Sequence, residues 1–136
     1  MAYWLFKSEP EEYSYDQLLH DKKTWWTGVT NALARKHLRS VAKGDQVLLY
    51  HTGKEKQIVG EMVVSRGPTE DPEAGDQKSV MVEVKPQRRL SVPVTLETIK
   101  ADPIFANWEL VRIGRLSVMP VSEELWGKIQ ELGAGK

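Results

Sequence analysis

Between Gln46 and Lys85 three extended apolar runs follow one another closely, and this stretch limits the chain to folds built on a sheet. Gln46–His51 (QVLLYH) and Gln57–Arg66 (QIVGEMVVSR) flank the polar segment Thr52–Lys56 and read as a hairpin. Ser79–Lys85 is the third run, and Pro86 marks its edge or a bend. Gly60 interrupts the second run, which signals a bulge or a close approach to the backbone. Gly67–Lys78, acidic and carrying two prolines, is expected to be a mobile loop.

The flanks supply a strand at each end and the helices. Tyr3–Ser8 (YWLFKS) alternates two sets of side chains as a first strand, ended by Pro10 and its acidic neighbours. Ser14 and Gln17 form a capping box for a helix running to about Asp21. Trp25–Val29 reads as an irregular connector pivoting on Gly28. Asn31 caps a second helix whose buried stripe is Ala34, Leu38 and Val41, with Arg35, Arg39 and Lys43 in one solvent-facing row. Gly44 is expected to end that helix, and Asp45 to start a turn. A short helix falls within Thr95–Ala101, a last strand at Arg115–Pro120, and a helix capped by Ser122 stops at Gly133. Five strands with helices outside them imply an α+β fold, a curved mixed sheet or open barrel. No linker, repeat or low-complexity tract divides positions 1–136, which read as one domain able to bury about two thirds of its unfolded surface.

Several chemistries are closed to this chain. Without cysteine there are no disulfides, thiolate catalysis, iron–sulfur clusters or cysteine-held zinc. His20, His37 and His51 share no metal-ligand spacing, so neither metal nor cofactor is expected. The terminal GAGK is not a P-loop, because Gln130 stands where the first glycine belongs and no Ser or Thr follows Lys136. No G-x-S-x-G elbow or G-x-G-x-x-G loop occurs, and no spacing proposes a triad, so no catalytic residue is assigned. The leading MAYWLFKSEP has no basic leader, and no window approaches about 18 apolar residues. The expectation is a cytoplasmic protein without a membrane span, monomeric by default.

Lys and Arg together number 19, as do Asp and Glu, so net charge argues for no polyanion. Their distribution says more. Lys22–Gly44 holds six cations and no acid, with Trp25 and Trp26 among them, while Glu70, Asp71, Glu73 and Asp76 form the opposing block. A neutral chain can carry a basic face, although such a run is as compatible with a solvated helix.

Polar residues embedded in apolar surroundings at strand ends are the remaining candidates. Lys7, Ser8 and Glu9 end the first strand; Trp26, Gly28 and Asn31 lie just before a helix; Tyr50 and His51 end another strand; Arg115 and Ser117 share a face of the last. Each alone is accounted for by a cap or a backbone hydrogen bond, and Trp26 equally by a lid on the barrel end. Gathered at one mouth, they would make an aromatic slot suited to a flat, hydrogen-bonding ring. Trp25 is expected to point into the fold and Trp26 towards a ligand, since neighbours in an extended segment face opposite ways.

YWLFKSEP with YSYDQL, WWTGVTNALARKHLR, GDQVLLYHT, IVGEMVV and RLSVMPVSEELW together resemble the EVE domain family, from Tyr3 to about Leu132. The resemblance implies a PUA-like fold and the reading of modified bases in DNA or RNA through a pocket. It maps that pocket onto Lys7, Ser8, Glu9, Trp26, Asn31, Tyr50, His51, Arg115, Leu116, Ser117 and Val118. Thr30 stands where an arginine is common in the family, and Leu33 where a glutamine is frequent. The expected partner is therefore a nucleic acid carrying a modified base, its phosphates held by Arg35, Arg39, Lys43 and Arg115. The alternative is a small hydrolase of a modified nucleoside or RNA using Lys7, Glu9 or His51, and a third, a protein adaptor, has only the acidic loop in its favour.

Overall fold

The computed structural model describes residues 2–70 and 79–135. Its strands are β1 (Tyr3–Ser8), β2 (Thr24–Trp26), β3 (Gln46–His51), β4 (Gln57–Glu70), β5 (Val80–Thr95) and β6 (Val118–Val121). They form one mixed sheet in the order β2-β5-β4-β3-β1-β6. The helices are α1 (Tyr15–Asp21), α2 (Ala32–Ser40), α3 (Leu96–Ala101), α4 (Glu109–Arg112) and α5 (Glu123–Gly133), with a 3-10 turn at Pro103–Phe105. No helix among the described residues is long and apolar enough to cross a membrane.

β1 is covered on both faces. Trp4, Leu5 and Phe6 are all buried. Tyr3 stacks on Trp126 of α5 at 4.4 Å, and Trp4, on the opposite face, lies 6.2 Å from the His37 ring of α2. At its start the Asp45 carboxylate accepts from Trp4 Nε1 (2.9 Å), Ala2 N (3.0 Å) and Ala42 N (2.8 Å), so a buried charge is matched by three donors. The turn expected at Asp45 thus also anchors the first strand. Caps form where the short polar residues stand: Ser14 Oγ accepts from Gln17 N, Asn31 Oδ1 from Ala34 N and Ser122 Oγ from Leu125 N. Ala34, Leu38 and Val41 are buried, as their spacing implies.

The structure differs from the sequence reading in five places. β2 is a sixth strand; its three residues are too few to show a period, and its partner, Val82–Val84, is far away in the chain. β5 continues through Pro86 to Thr95, which is tolerated because β2 pairs only with Val82–Val84 and leaves β5 one neighbour at the proline. α2 ends at Ser40, so Lys43 sits in the turn before β3 and the helical row of three cations is broken. The last strand begins at Val118, leaving Arg115–Ser117 as the segment leading into it. Within the expected acidic loop, Gly67–Glu70 belong to β4, and residues 71–78 lie outside the described residues.

Gly60 is both a bulge and a close approach. The β4 register shifts there, and a β-carbon would lie 2.5 Å from Tyr15 Cε2. The Tyr15 ring cannot swing aside, because it is fully buried and its hydroxyl donates to Glu61 O (2.9 Å). Gly60→Ala is therefore expected to destabilise by about 1–3 kcal/mol. Chemical denaturation checks this, and a variant indistinguishable from the parent would contradict the tight packing.

Candidate functional site

A cleft of about 580 Å³ opens where β1 ends. Sites for small ligands span roughly 300–1,000 Å³, so it is of ligand size. Four chain segments meet in it. Lys7, Ser8 and Glu9 come from the end of β1, followed by Glu12 and Tyr13 in the turn before α1. Thr24–Val29 form a wall, Thr52 follows β3, and Gly114, Arg115 and Ser117 precede β6. Register explains the convergence: Ser8 lies opposite His51 in the parallel β1–β3 pair, Thr52 N donates to Ser8 O (2.9 Å), and Lys7 N donates to Ser117 O (2.9 Å).

Polar groups in the cleft are held in place. Lys7 Nζ donates to Gly114 O (3.0 Å) and lies 5.7 Å from the centre of the Tyr50 ring. Burial holds its pKa below the ordinary lysine value. Ser8 Oγ donates to Tyr13 O (2.7 Å), fixing the turn. The Tyr13 hydroxyl donates to Asp21 Oδ2 (3.0 Å), and burial, the largest influence, raises its pKa. Tyr13 meets Trp26 edge to face at 6.2 Å, and Phe6 packs against Trp26 in a tilted contact at 5.5 Å.

The two tryptophans differ in burial, but in the reverse of the expected sense. Trp26 is 8% exposed and part of the core, whereas Trp25 is half-buried. Both line the cleft. The reason is β2: its pairing of Trp26 with Val82 turns that side chain towards Phe6 of β1.

Of the site residues expected from sequence, Lys7, Ser8, Glu9, Trp26, Arg115 and Ser117 line this cleft. Asn31, Tyr50, His51, Leu116 and Val118 do not. Asn31 caps α2, while Leu116 and Val118 are buried in the core. Tyr50 is buried beneath the Lys7 ammonium. His51 faces a different hollow, beside Asp16 and Arg89. Its Nε2 accepts from Tyr15 N (3.1 Å), which puts the proton on Nδ1, 3.0 Å from Glu55 Oε1. Arg35, Arg39 and Lys43 also lie outside the lining. Arg35 is half-buried and donates to Val29 O and Ser79 Oγ (both 2.8 Å), so it secures the wall of the cleft from behind. Glu12, Tyr13 and Thr52 line the cleft without having been singled out, and Trp25 lines it although it was expected to point into the fold. Tyr13, an aromatic beside a helix cap, carried the only local hint. Among the described residues no group of three or more His, Asp or Glu side chains is placed to hold a metal ion.

A mixed six-stranded sheet with short helices on its faces defines a PUA-like α+β protein. The chain belongs to the EVE domain family, whose model matches residues 2–132. It is similar to a Rhodopseudomonas palustris protein solved by NMR, with 38% identity, a TM-score of 0.92, and coverage of 98% of this chain and 93% of that one. Human THYN1 protein in complex with 5-methylcytosine containing DNA is 26% identical, with a TM-score of 0.89 and 98% coverage of both chains. Chicken thymocyte nuclear protein 1 is 29% identical over 90% of this chain, which spans 65% of that protein's length.

Because Trp26 is buried and packed against Phe6 and Tyr13, Trp26→Ala is expected to destabilise by about 3–5 kcal/mol. Trp25→Ala should cost clearly less. Equilibrium unfolding of the two variants checks the order, and equal losses would mean that β2 does not set their burial.

Proposed function

We propose that the chain binds nucleic acid and takes a single modified base, unpaired or turned out of a duplex, into the cleft at the end of β1. The observation that carries this reading is the aromatic wall of Trp25, Trp26 and Tyr13 facing hydrogen-bonding groups of both kinds. A base presents a flat π face and an edge of mixed donors and acceptors. Stacking contributes roughly 1–3 kcal/mol per base, comparable with the few kcal/mol needed to extrude one. Lys7 has donors to spare beyond its bond to Gly114, and Glu9 and Glu12 offer acceptors for an exocyclic amine. Arg115, exposed at the rim, suits a flanking phosphate. The human THYN1 complex with 5-methylcytosine containing DNA supports a nucleic-acid partner for this family member.

Hydrolysis finds less support. His51 points into another hollow with both ring nitrogens engaged, so Lys7 and Glu9 would have to supply the acid and base.

The test uses single-stranded DNA of one sequence carrying cytosine or 5-methylcytosine at one position. A buried methyl contributes about 0.8 kcal/mol, so the methylated strand is expected to bind about fourfold tighter. Trp25→Ala should weaken binding of the methylated strand by roughly 1–3 kcal/mol. Nucleosides recovered afterwards should be unchanged, and turnover would replace the reading with the hydrolase.

Acidity supplies a further check. Lys7 acts as a donor while protonated, and burial lowers its pKa, so affinity should fall with rising pH below the ordinary lysine value of 10.5. Lys7→Gln should bind more weakly and lose that alkaline limb. A limb that persists in the variant would assign it to another group.

A further inference from the structure

Beside the cleft lies a smaller hollow of about 200 Å³, and the two share Lys7, Thr52 and Gly114. The Lys7–Gly114 contact is the partition between them. The charge of this hollow is one-sided. Lys7, Lys56 and Lys100 all line it, and no carboxylate does. Neither Lys56 nor Lys100 has an ion-pair partner among the described residues, whereas Arg66, Arg88, Arg89 and Lys128 each face an acid.

Lys56 and Lys100 are brought there by the backbone. Lys56 ends the β3–β4 turn with a φ of 46°, a left-handed conformation that a residue bearing a side chain adopts only at a cost. Glycine would suit this turn better, yet a lysine occupies it. Strain of this kind is concentrated at functional positions. Its carbonyl accepts from Leu96 N (2.8 Å), tying the turn to the first residue of α3. Lys100 stands four residues on in that helix, on the same side as Leu96, and both line the hollow. Three lysines on separate elements line one concavity and give it a positive field that favours an anion. The apolar floor, Leu96, Leu110 and Val111, lowers the local dielectric and strengthens that attraction.

We propose that this hollow is a phosphate subsite: the strand whose base enters the cleft passes over the Lys7–Gly114 partition and seats a flanking phosphate among Lys7, Lys56 and Lys100. The proposal rests on the base-binding reading above and adds the path of the strand. It places the backbone on the α3 side of the cleft, away from Arg39 of α2 and Lys43 of the turn that follows it.

The experiment measures salt-dependent affinity for the cytosine and 5-methylcytosine strands and for the nucleoside 5-methyl-2′-deoxycytidine, which has no phosphate. The wild type is compared with Lys56→Gln/Lys100→Gln and with Arg39→Gln/Lys43→Gln, an equal change of charge elsewhere. The first variant is expected to bind both strands on the order of tenfold more weakly at about 50 mM salt, with a log–log salt slope smaller by about 0.7, the value for one lost phosphate. Nucleoside affinity should stay within about twofold, and the Arg39/Lys43 variant should keep its slope. An unchanged slope in the Lys56/Lys100 variant, or a larger loss in the Arg39/Lys43 variant, overturns the subsite while base preference stands. Strand binding that depends on Lys56 and Lys100 without preference for the methylated base, and without loss in Trp25→Ala, upholds the subsite and removes the base reading. Failure of the wild type to bind either strand overturns both.

Discussion

The placement of β1 between a parallel β3 and an antiparallel β6 is the constraint on which the site depends. A strand with two neighbours and both faces covered has little freedom to shift, because a slip of one residue would exchange Trp4 and Phe6 with Leu5 on the two sides of the sheet. The Asp45 carboxylate fixes one end through Trp4 Nε1 and two backbone amides. The other end must then deliver Lys7 and Ser8 beside Tyr50 and His51. The turn after β1, the residue after β3 and the segment before β6 are drawn to that end, and a cleft opens because the strands stop there while β2 closes its far side.

Charge is divided between the interior and this end of the molecule. Asp45, Glu61 and Glu83 are buried, and a buried carboxylate needs donors. Glu61 receives two hydrogen bonds from Arg88, at 2.7 and 3.0 Å, and Glu83 receives one from Ser65 with Arg66 3.6 Å away. Arg35 is engaged by Val29 and Ser79. Cations near one another in sequence are thus partly committed to holding the fold. Those lining the cleft and its neighbouring hollow come from β1, the β3–β4 turn, α3 and the approach to β6. A count of charges along the chain carries no trace of that grouping.

Much of the fold was legible in local pattern. The caps at Ser14, Asn31 and Ser122, the stripe of Ala34, Leu38 and Val41, and the hairpin around Thr52–Lys56 are set by residues within a few positions of one another. Gly60 was legible as a special position, although not that Tyr15 is what approaches it. β2 was hidden because three residues show no period and their partners are near Val84. The extension of β5 through Pro86 was hidden because a proline ends a strand only where a second neighbour needs its amide.

The sequence by itself determined most of the longer elements, the apolar stripe of α2, and the end of the first strand that carries Lys7, Ser8 and Glu9. These depend on short-range geometry and on the partition of side chains between water and the interior. Only the tertiary structure decided which of the polar residues share a cleft. His51 and Asn31 carry groups as capable as those of Ser8, but His51 turns into another hollow and Asn31 caps a helix. Trp26 and Trp25 exchanged their expected burial because a strand pairing more than fifty residues away, not their own neighbours, fixed which face met Phe6. A side chain's direction at a strand end is set by register against distant strands, and register is a property of the assembled sheet.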